Sequence, residues 1–117
     1  MSEVIDSASL RRDLMDAGHK LQAAIDEARE ASVEYVRVKY EKDLAWDKAF
    51  LAADGTEQTK KSKANIATAE LTRIHDLALE RKRNARLQVE AFQAIVSALQ
   101  TVGSTARAEM RLAGYPS

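Results

Sequence analysis

The first candidates for chemistry are Asp16 and His19, whose side chains stand three residues apart. On a helix this spacing puts both on one face, where they could bind a metal ion. A two-metal helical bundle needs a Glu-x-x-His pair twice, with two further carboxylates, but the other histidine, His75, follows Thr72 at the corresponding position. We therefore expect His19 to be solvated or partly packed, and we predict no bound metal and no cofactor.

Motifs for covalent or nucleotide chemistry are missing from the sequence. The 117 residues contain no cysteine, which excludes thiolate zinc sites, iron–sulfur clusters and thiol nucleophiles. There is no Gly-x-Ser-x-Gly turn for a serine nucleophile, and no glycine-rich loop of either common nucleotide-binding type. The sequence thus predicts a protein that is not an enzyme and that has no catalytic residues.

Basic residues form two clusters in the second half of the chain, and they could contact phosphate groups. One interpretation is a solvated helix face, because the chain is neutral, with 18 basic and 18 acidic residues, and no aromatic residue is interleaved with these cations. The alternative is a DNA-binding or nuclease-inhibiting protein that uses the basic face of the second helix. Its nucleic-acid contacts would be the seven cations of the two clusters, which are Lys60, Lys61, Lys63, Arg81, Lys82, Arg83 and Arg86.

The elements that would hold these residues are two long helices. The single proline is Pro116, so nothing forbids helix across nearly the whole chain. Apolar residues recur at three- and four-residue intervals on both sides of a turn signal at Gly55, beside which Asp54 or Thr56 could cap a helix. We predict an all-α protein, with a helix at about 8–53, a turn at 54–56 and a helix at about 56–112.

Two features interrupt this regularity. Apolar positions drift off the earlier heptad register, in a way typical of a coiled-coil stutter, at Val33, Val36, Tyr40 and Leu44. The other feature is glycine inside the predicted helices, because it costs roughly 1 kcal/mol relative to alanine there. At Gly18 and Gly103 the sequence is compatible with either a kink or a continuous helix.

Charge is neutral in total but unevenly distributed. Residues 1–54 carry 8 basic and 12 acidic side chains, a net of −4, and residues 55–117 carry 10 basic and 6 acidic, a net of +4. An acidic helix is complementary to a basic one, so we predict one antiparallel two-helix hairpin, a coiled coil that makes a single domain over residues 1–117. Two helices alone cannot bury a sizeable core. We therefore expect a homo-oligomer, either a homodimer that forms a four-helix bundle or a larger assembly.

Aromatic residues concentrate towards the end of the first helix. Tyr35, Trp46 and Phe50 are expected to line either the intramolecular seam or the dimer seam, where bulky side chains meet alanines across the interface. The alternative use of Trp46 is exposure to a partner protein, because tryptophan is enriched among residues that dominate binding energy.

The tail of the chain, LQTVGSTARAEMRLAG, and the connection from Phe50 to Thr56 carry a resemblance to a known group. They resemble small coiled-coil proteins of actinobacterial phages, with a likeness that spans about residues 10–114 and is strongest at 97–114. Those viral proteins are typically encoded among early genes for DNA recombination and replication, near annealing proteins and exonucleases. The group has no agreed catalytic residues, so none is assigned here.

The resemblance implies a phage accessory protein that acts by protein–protein interaction on the DNA recombination or replication machinery. Its contact surface is expected in the tail, at Arg107, Glu109, Met110, Arg111 and Leu112. Secreted helical hairpins of the WXG type share the two-helix plan and the lack of cysteine. Their Trp-x-Gly turn is not matched, because Trp46 is followed by Asp47 and Lys48 and precedes the turn.

The beginning of the sequence bears on location. The residues Met1–Asp6 lack both a basic region and an apolar region, so we expect no secretory signal peptide. No run approaches the roughly 18 apolar residues of a membrane span. The predicted location is the cytoplasm, which is that of the infected bacterial host if the chain is phage-encoded.

Overall fold

The chain folds into α-helices. The computed structural model describes residues 7–114, which form α1 (Ser7–Ala52), α2 (Glu57–Ala67) and α3 (Ala69–Leu112). Helix makes up 94% of these described residues, and no strand occurs among them, so the prediction of an all-α protein is confirmed. Residues 1–6, on which the signal-peptide expectation depends, and residues 115–117, with the single proline, lie outside the described residues.

The turn after α1 depends on a glycine and a threonine. Gly55 has a φ of +115°, in the left-handed region that L side chains rarely adopt. Thr56 then takes an extended conformation, and its side chain accepts a hydrogen bond from the backbone N–H of Thr59 at 3.2 Å. Of the two residues that could cap the second helix, the structure therefore uses Thr56, which satisfies one of the free N–H groups at the start of α2.

The second predicted helix is divided at Thr68, although the sequence predicts a continuous helix there. Thr68 has φ −107° and ψ 13°, away from helical values. Its buried hydroxyl donates to the carbonyl oxygen of Ala64 at 2.8 Å, a bond of the kind that bends helices. The expectation of one helix over 56–112 is thus corrected to two, α2 and α3. Gly18 and Gly103, by contrast, lie inside continuous stretches of α1 and α3.

Contacts divide the chain into two units, which we describe separately. The terminal unit comprises residues 1–26 and 86–117, and the turn unit comprises residues 27–85. In the terminal unit, a Cβ built on Gly103 would lie 3.3 Å from Cδ2 of Leu10, while Ala17 shares a small cavity with Phe92. Rising residue numbers on α1 thus meet falling numbers on α3, so the two segments are antiparallel.

The turn unit is also antiparallel. Trp46 contacts Asn65, whereas Glu27 contacts Arg81, so α1 runs opposite to α2 and to the first part of α3. Between these two contacts the ring of Tyr35 packs against the ring of His75, with centroids 5.3 Å apart. The hydrogen bond from Trp46 therefore joins α1 to α2, and the contact between Tyr35 and His75 joins α1 to α3.

The cores of both units are built from small side chains. The buried hydrophobic residues of the terminal unit are Ala17 and Ala24, and those of the turn unit are Ala31, Val38, Ala64, Ala78 and Ala85. Their seven-residue spacing is that of a coiled-coil seam, and alanine lets two helices approach closely. Because burial stabilises by roughly 0.8 kcal/mol per methylene-sized group, alanines contribute much less than leucines at the same positions.

Candidate interaction surfaces

The basic residues nearest the turn all contact groups of their own chain. The Nζ of Lys60 lies 5.8 Å from the ring centroid of Phe50. Lys61 forms an ion pair with Glu57, one helical turn away, at 3.4 Å. The Nζ of Lys63 donates to the carbonyl oxygen of Asp54 at 3.0 Å, which joins α2 to the turn.

In the second basic cluster, two cations bind across the helices of the turn unit. The Nε–H of Arg81 donates to Oε1 of Glu27 at 2.8 Å, and its Nη2 lies 3.8 Å from Oε2 of Glu30. The hydrogen bond from Arg81 lowers the pKa of Glu27 and raises the pKa of Arg81 itself. Lys82 lies over the ring of Tyr35, with its Nζ 4.7 Å from the centroid, in a cation–π contact.

The remaining two cations of that cluster differ. Arg86, in the terminal unit, lies 3.7 Å from Glu90 on the same helix face. Arg83 is exposed, and the described residues provide it with no ion-pair partner. Six of the seven predicted phosphate contacts therefore have a partner within the chain. Exposed contacts of this type are weak, at about 0.2–1 kcal/mol each, so a phosphate could compete for them.

Trp46 is half-buried and held in place within the turn unit. Its indole N–H donates to Oδ1 of Asn65 at 2.8 Å, and its ring stacks on Phe50 with centroids 5.3 Å apart. The same indole borders a groove of about 770 Å³ whose other walls are mainly polar, with Lys42, Asp43, Asp47, Thr68 and Thr72. The seam position expected from the sequence is thus observed, and the groove keeps part of the ring accessible.

The tail of α3 presents apolar side chains to solvent. Met110 is exposed, and Leu112, the last residue of the helix, is 90% exposed. Arg107 donates to Oγ of Ser104 at 3.3 Å, while Glu109 and Arg111 are exposed beside them. The predicted partner contacts of the tail are therefore accessible on one helical segment of the terminal unit.

The four apolar residues that the sequence suggested to be a stutter form, together with Leu51, a second face of α1. These residues are between 40% and 80% exposed, and we call them the outer stripe: Val33, Val36, Tyr40, Leu44 and Leu51. The inner seam continues in register at Ala31, Tyr35 and Val38, which are buried or half-buried. The stutter interpretation is therefore wrong, because the drifting residues never join the seam. Their spacings of three, four, four and seven residues are those of one helix face.

Charged side chains follow one edge of the outer stripe. Arg37 bonds Oε1 of Glu34 at 2.6 Å and Oε1 of Glu41 at 2.7 Å, so three residues form a continuous ladder. The hydrogen bond to Glu34 is the main reason that the pKa of Arg37 is raised. An apolar row with charged edges is the pattern of a helix–helix interface.

The terminal unit has a further surface, on a segment of α3 that was not among the predicted sites. Residues 91–106 of α3 contain no Asp, Glu, Lys or Arg, although such residues make up 31% of the chain. Ile95 and Val102 are exposed on this segment. A helix that is apolar on several sides is typically buried in its working state. The lack of charge over this length was the signal that could have identified it.

The described residues form neither a metal-binding cluster nor a membrane-spanning helix. Asp16 pairs with Lys20 at 3.1 Å, and within residues 7–114 no group of three or more His, Asp or Glu side chains is arranged to hold a metal ion. His75 contacts Tyr35 and Oδ1 of Asp76. Over the same residues, no helix is both long and apolar enough to cross a bilayer.

Comparison with known proteins leaves these surfaces without a relative to interpret them. No protein-family model matches the chain, and neither a curated protein nor a solved structure gives a significant match. The resemblance of the tail to coiled-coil proteins of actinobacterial phages therefore stays a prediction.

Proposed function

We propose that this protein is a non-enzymatic interaction protein that works as a homodimeric helical bundle. The observation that carries the proposal is the distribution of apolar side chains. The buried residues are almost all alanine, whereas large side chains such as Val36, Tyr40 and Leu44 are exposed in rows. Scattered exposed hydrophobic residues are normal, but contiguous rows indicate a surface that another protein covers.

The exposed area supports self-association. The chain exposes 8854 Å². A folded monomer of 12.9 kDa exposes about 6,300 Å² by the scaling of surface with mass. The excess is roughly 2,500 Å² per chain, or roughly 5,000 Å² for two chains, which is at the upper end of the total area that permanent homodimer interfaces bury. In this proposal each chain is one antiparallel two-helix hairpin, and two chains form a four-helix bundle.

The partner that the dimer would bind is a protein of DNA recombination or replication. The support is the resemblance of the tail to phage proteins encoded among such genes, together with the exposed Met110 and Leu112 at its end. Apolar side chains flanked by Arg107 and Arg111 fit the composition of protein interfaces, in which arginine is enriched. Under the same proposal, the protein works in the cytoplasm of an infected bacterium.

Capture of a partner tests this function. Tagged protein is used as bait in a lysate of phage-infected actinobacterial cells, beside the variant Met110→Ser/Leu112→Ser. We expect an annealing protein or exonuclease to be retained by the wild type and lost with the tail variant. A control, Met15→Ser, changes an apolar side chain on α1 that is 60% exposed, between the 47% of Met110 and the 90% of Leu112, and should retain the partner. Equal retention by the wild type and the tail variant would exclude the tail as the contact surface.

A further inference from the structure

We infer that the outer stripe is the surface on which a second copy of this chain docks, antiparallel, with the two-fold axis beside Tyr40. This inference rests on the proposed homodimer and specifies its interface. Val36, Tyr40 and Leu44 form the centre of the stripe, and all three are exposed in the single chain. None of the residues that the structure describes covers them, because the seam of the turn unit uses the opposite side of α1, at Ala31, Tyr35 and Val38.

The apolar residues are self-complementary in this arrangement. In two antiparallel helices related by an axis at residue 40, residues whose numbers add up to 80 stand at the same level. Val36 therefore faces Leu44 of the second copy, Leu44 faces its Val36, and the two Tyr40 rings meet at the axis. Each interface of this type has the same patch on both subunits, as a two-fold dimer requires. Two identical valine–leucine layers therefore flank the tyrosine layer at the axis, and the pairing of a smaller with a larger side chain in the outer layers allows interdigitation.

The charges on the edge of the stripe fit the same axis. Glu34, Arg37, Glu41 and Lys48 alternate in sign along this edge, and antiparallel helices bring the same edge of each copy together. Glu34 stands within two residues, about 3 Å, of the level of Lys48 in the second copy. Arg37 stands equally close to the level of Glu41 in the second copy. Symmetry doubles both pairs, so each acidic residue of the edge meets a basic one.

The lack of cysteine makes the geometry directly testable, because any cysteine introduced is the sole thiol. Tyr40→Cys places two thiols at the axis, and we expect mild oxidation to convert most of the protein to a covalent dimer. Val33→Cys should give little covalent dimer. In the antiparallel pair, residue 33 of one copy is at the level of residue 47 of the other, so the two introduced thiols are 14 residues, or about 21 Å, apart along the helices. A mixture of Val36→Cys and Leu44→Cys should cross-link as a heterodimer. Leu77→Cys is the control, since Leu77 is 57% exposed in the same unit but lies off the stripe.

A second variant removes the dependence on cysteine chemistry. Tyr40→Glu/Leu44→Glu puts four carboxylates at the interface of a dimer, and we expect its dissociation constant to rise at least a hundredfold. Its helix content should match the wild type, because both side chains are exposed in the single chain. Leu77→Glu provides the matched control and should dimerise like the wild type.

The outcomes separate this inference from the proposed function. If the wild type is dimeric and the Tyr40→Glu/Leu44→Glu variant dimerises equally well, the outer stripe is not the interface. The proposed homodimer would then remain valid with its interface elsewhere. Strong cross-linking of Val33→Cys to itself indicates parallel helices and overturns the antiparallel geometry. If Ile95→Glu/Val102→Glu loses dimerisation while Tyr40→Glu/Leu44→Glu keeps it, the interface lies at residues 91–106 and the inference is overturned. A wild type that is monomeric overturns the homodimer and the stripe with it.

Discussion

The Nε–H of Arg81 donates a hydrogen bond to Oε1 of Glu27 at 2.8 Å, across 54 residues of sequence. This bond joins α3 to α1 at the end of the turn unit that is remote from the turn. Its carboxylate partner has a pKa below the ordinary value of 4.5, chiefly because of this bond. Both side chains remain partly exposed, so the bond aligns the helices more than it stabilises them.

The lowered pKa of Glu27 gives a pH prediction. The folded chain binds the proton of Glu27 less tightly than the unfolded chain. The stabilisation that the hydrogen bond between Arg81 and Glu27 provides is therefore complete above the ordinary pKa of 4.5, which applies to the unfolded chain. It is lost as the pH falls through the lower pKa of the folded chain. We expect Glu27→Gln to lower the free energy of unfolding at pH 7 and to differ less from the wild type at pH 3, measured by urea unfolding at one protein concentration.

The control for this prediction is Glu109→Gln, which removes an exposed carboxylate on the tail. It should leave the unfolding free energy nearly unchanged at both pH values. A difference between Glu27→Gln and the wild type that is as large at pH 3 as at pH 7 would show that the ionised carboxylate is not its source.

Replacement of glycine by alanine should have opposite effects on stability in the turn, at Gly55, and inside α1, at Gly18. Gly55→Ala should destabilise by about 1–2 kcal/mol, because alanine is strained at a positive φ. The new Cβ would also lie 3.1 Å from Cγ2 of Thr59. Gly18→Ala should instead stabilise by about 0.5–1 kcal/mol, since glycine costs that much inside a helix and no atom within 4 Å opposes the new Cβ. Thermal unfolding compares both variants, and equal shifts in one direction would contradict the turn geometry.

The cap of α2 gives a further prediction. Thr56→Ala removes the oxygen that accepts the N–H of Thr59, and such losses cost about 1 kcal/mol. Thr56→Ser keeps that oxygen and should retain most of the stability. Denaturant unfolding measures the difference, and an alanine variant as stable as the serine variant would exclude Thr56 as the cap.

Direct DNA binding, the alternative function, predicts a different result from the proposed one. If the protein acts through protein contacts, gel shifts with single- and double-stranded DNA should be weak at low and high salt. Replacement of the second cluster by glutamine, at Arg81, Lys82, Arg83 and Arg86, should then change nothing. A strong shift that collapses with salt and is lost in the quadruple variant would support DNA binding instead, because phosphate contacts are sensitive to salt. Circular dichroism checks that this variant is folded.

Local chemistry explains which parts of the fold the sequence could predict. The turn is encoded by neighbours, because Gly55 permits a positive φ and Thr56 can cap the next helix. The helix boundary at Thr68 accompanies the burial of this residue, whose hydroxyl donates to the carbonyl of Ala64. A threonine within a helical pattern does not reveal whether it is buried, so this boundary could not be foreseen.

The candidate surfaces were predictable to different degrees. Pairs one turn apart, such as Lys61 with Glu57, can be recognised from spacing. The partner of Arg81 depends on how two distant segments align, which spacing does not give. The outer stripe was visible as apolar residues at Val33 and Tyr40, but periodicity alone cannot distinguish an interrupted seam from a second apolar face.

The central claim, that the chain works as a homodimer, is tested most directly by sedimentation equilibrium of the wild type across a dilution series in the micromolar range. The proposed bundle predicts a species of twice 12.9 kDa that dissociates on dilution, and the Tyr40→Glu/Leu44→Glu variant should dissociate at much higher concentration. A single species of 12.9 kDa for the wild type over the whole series would contradict the homodimer.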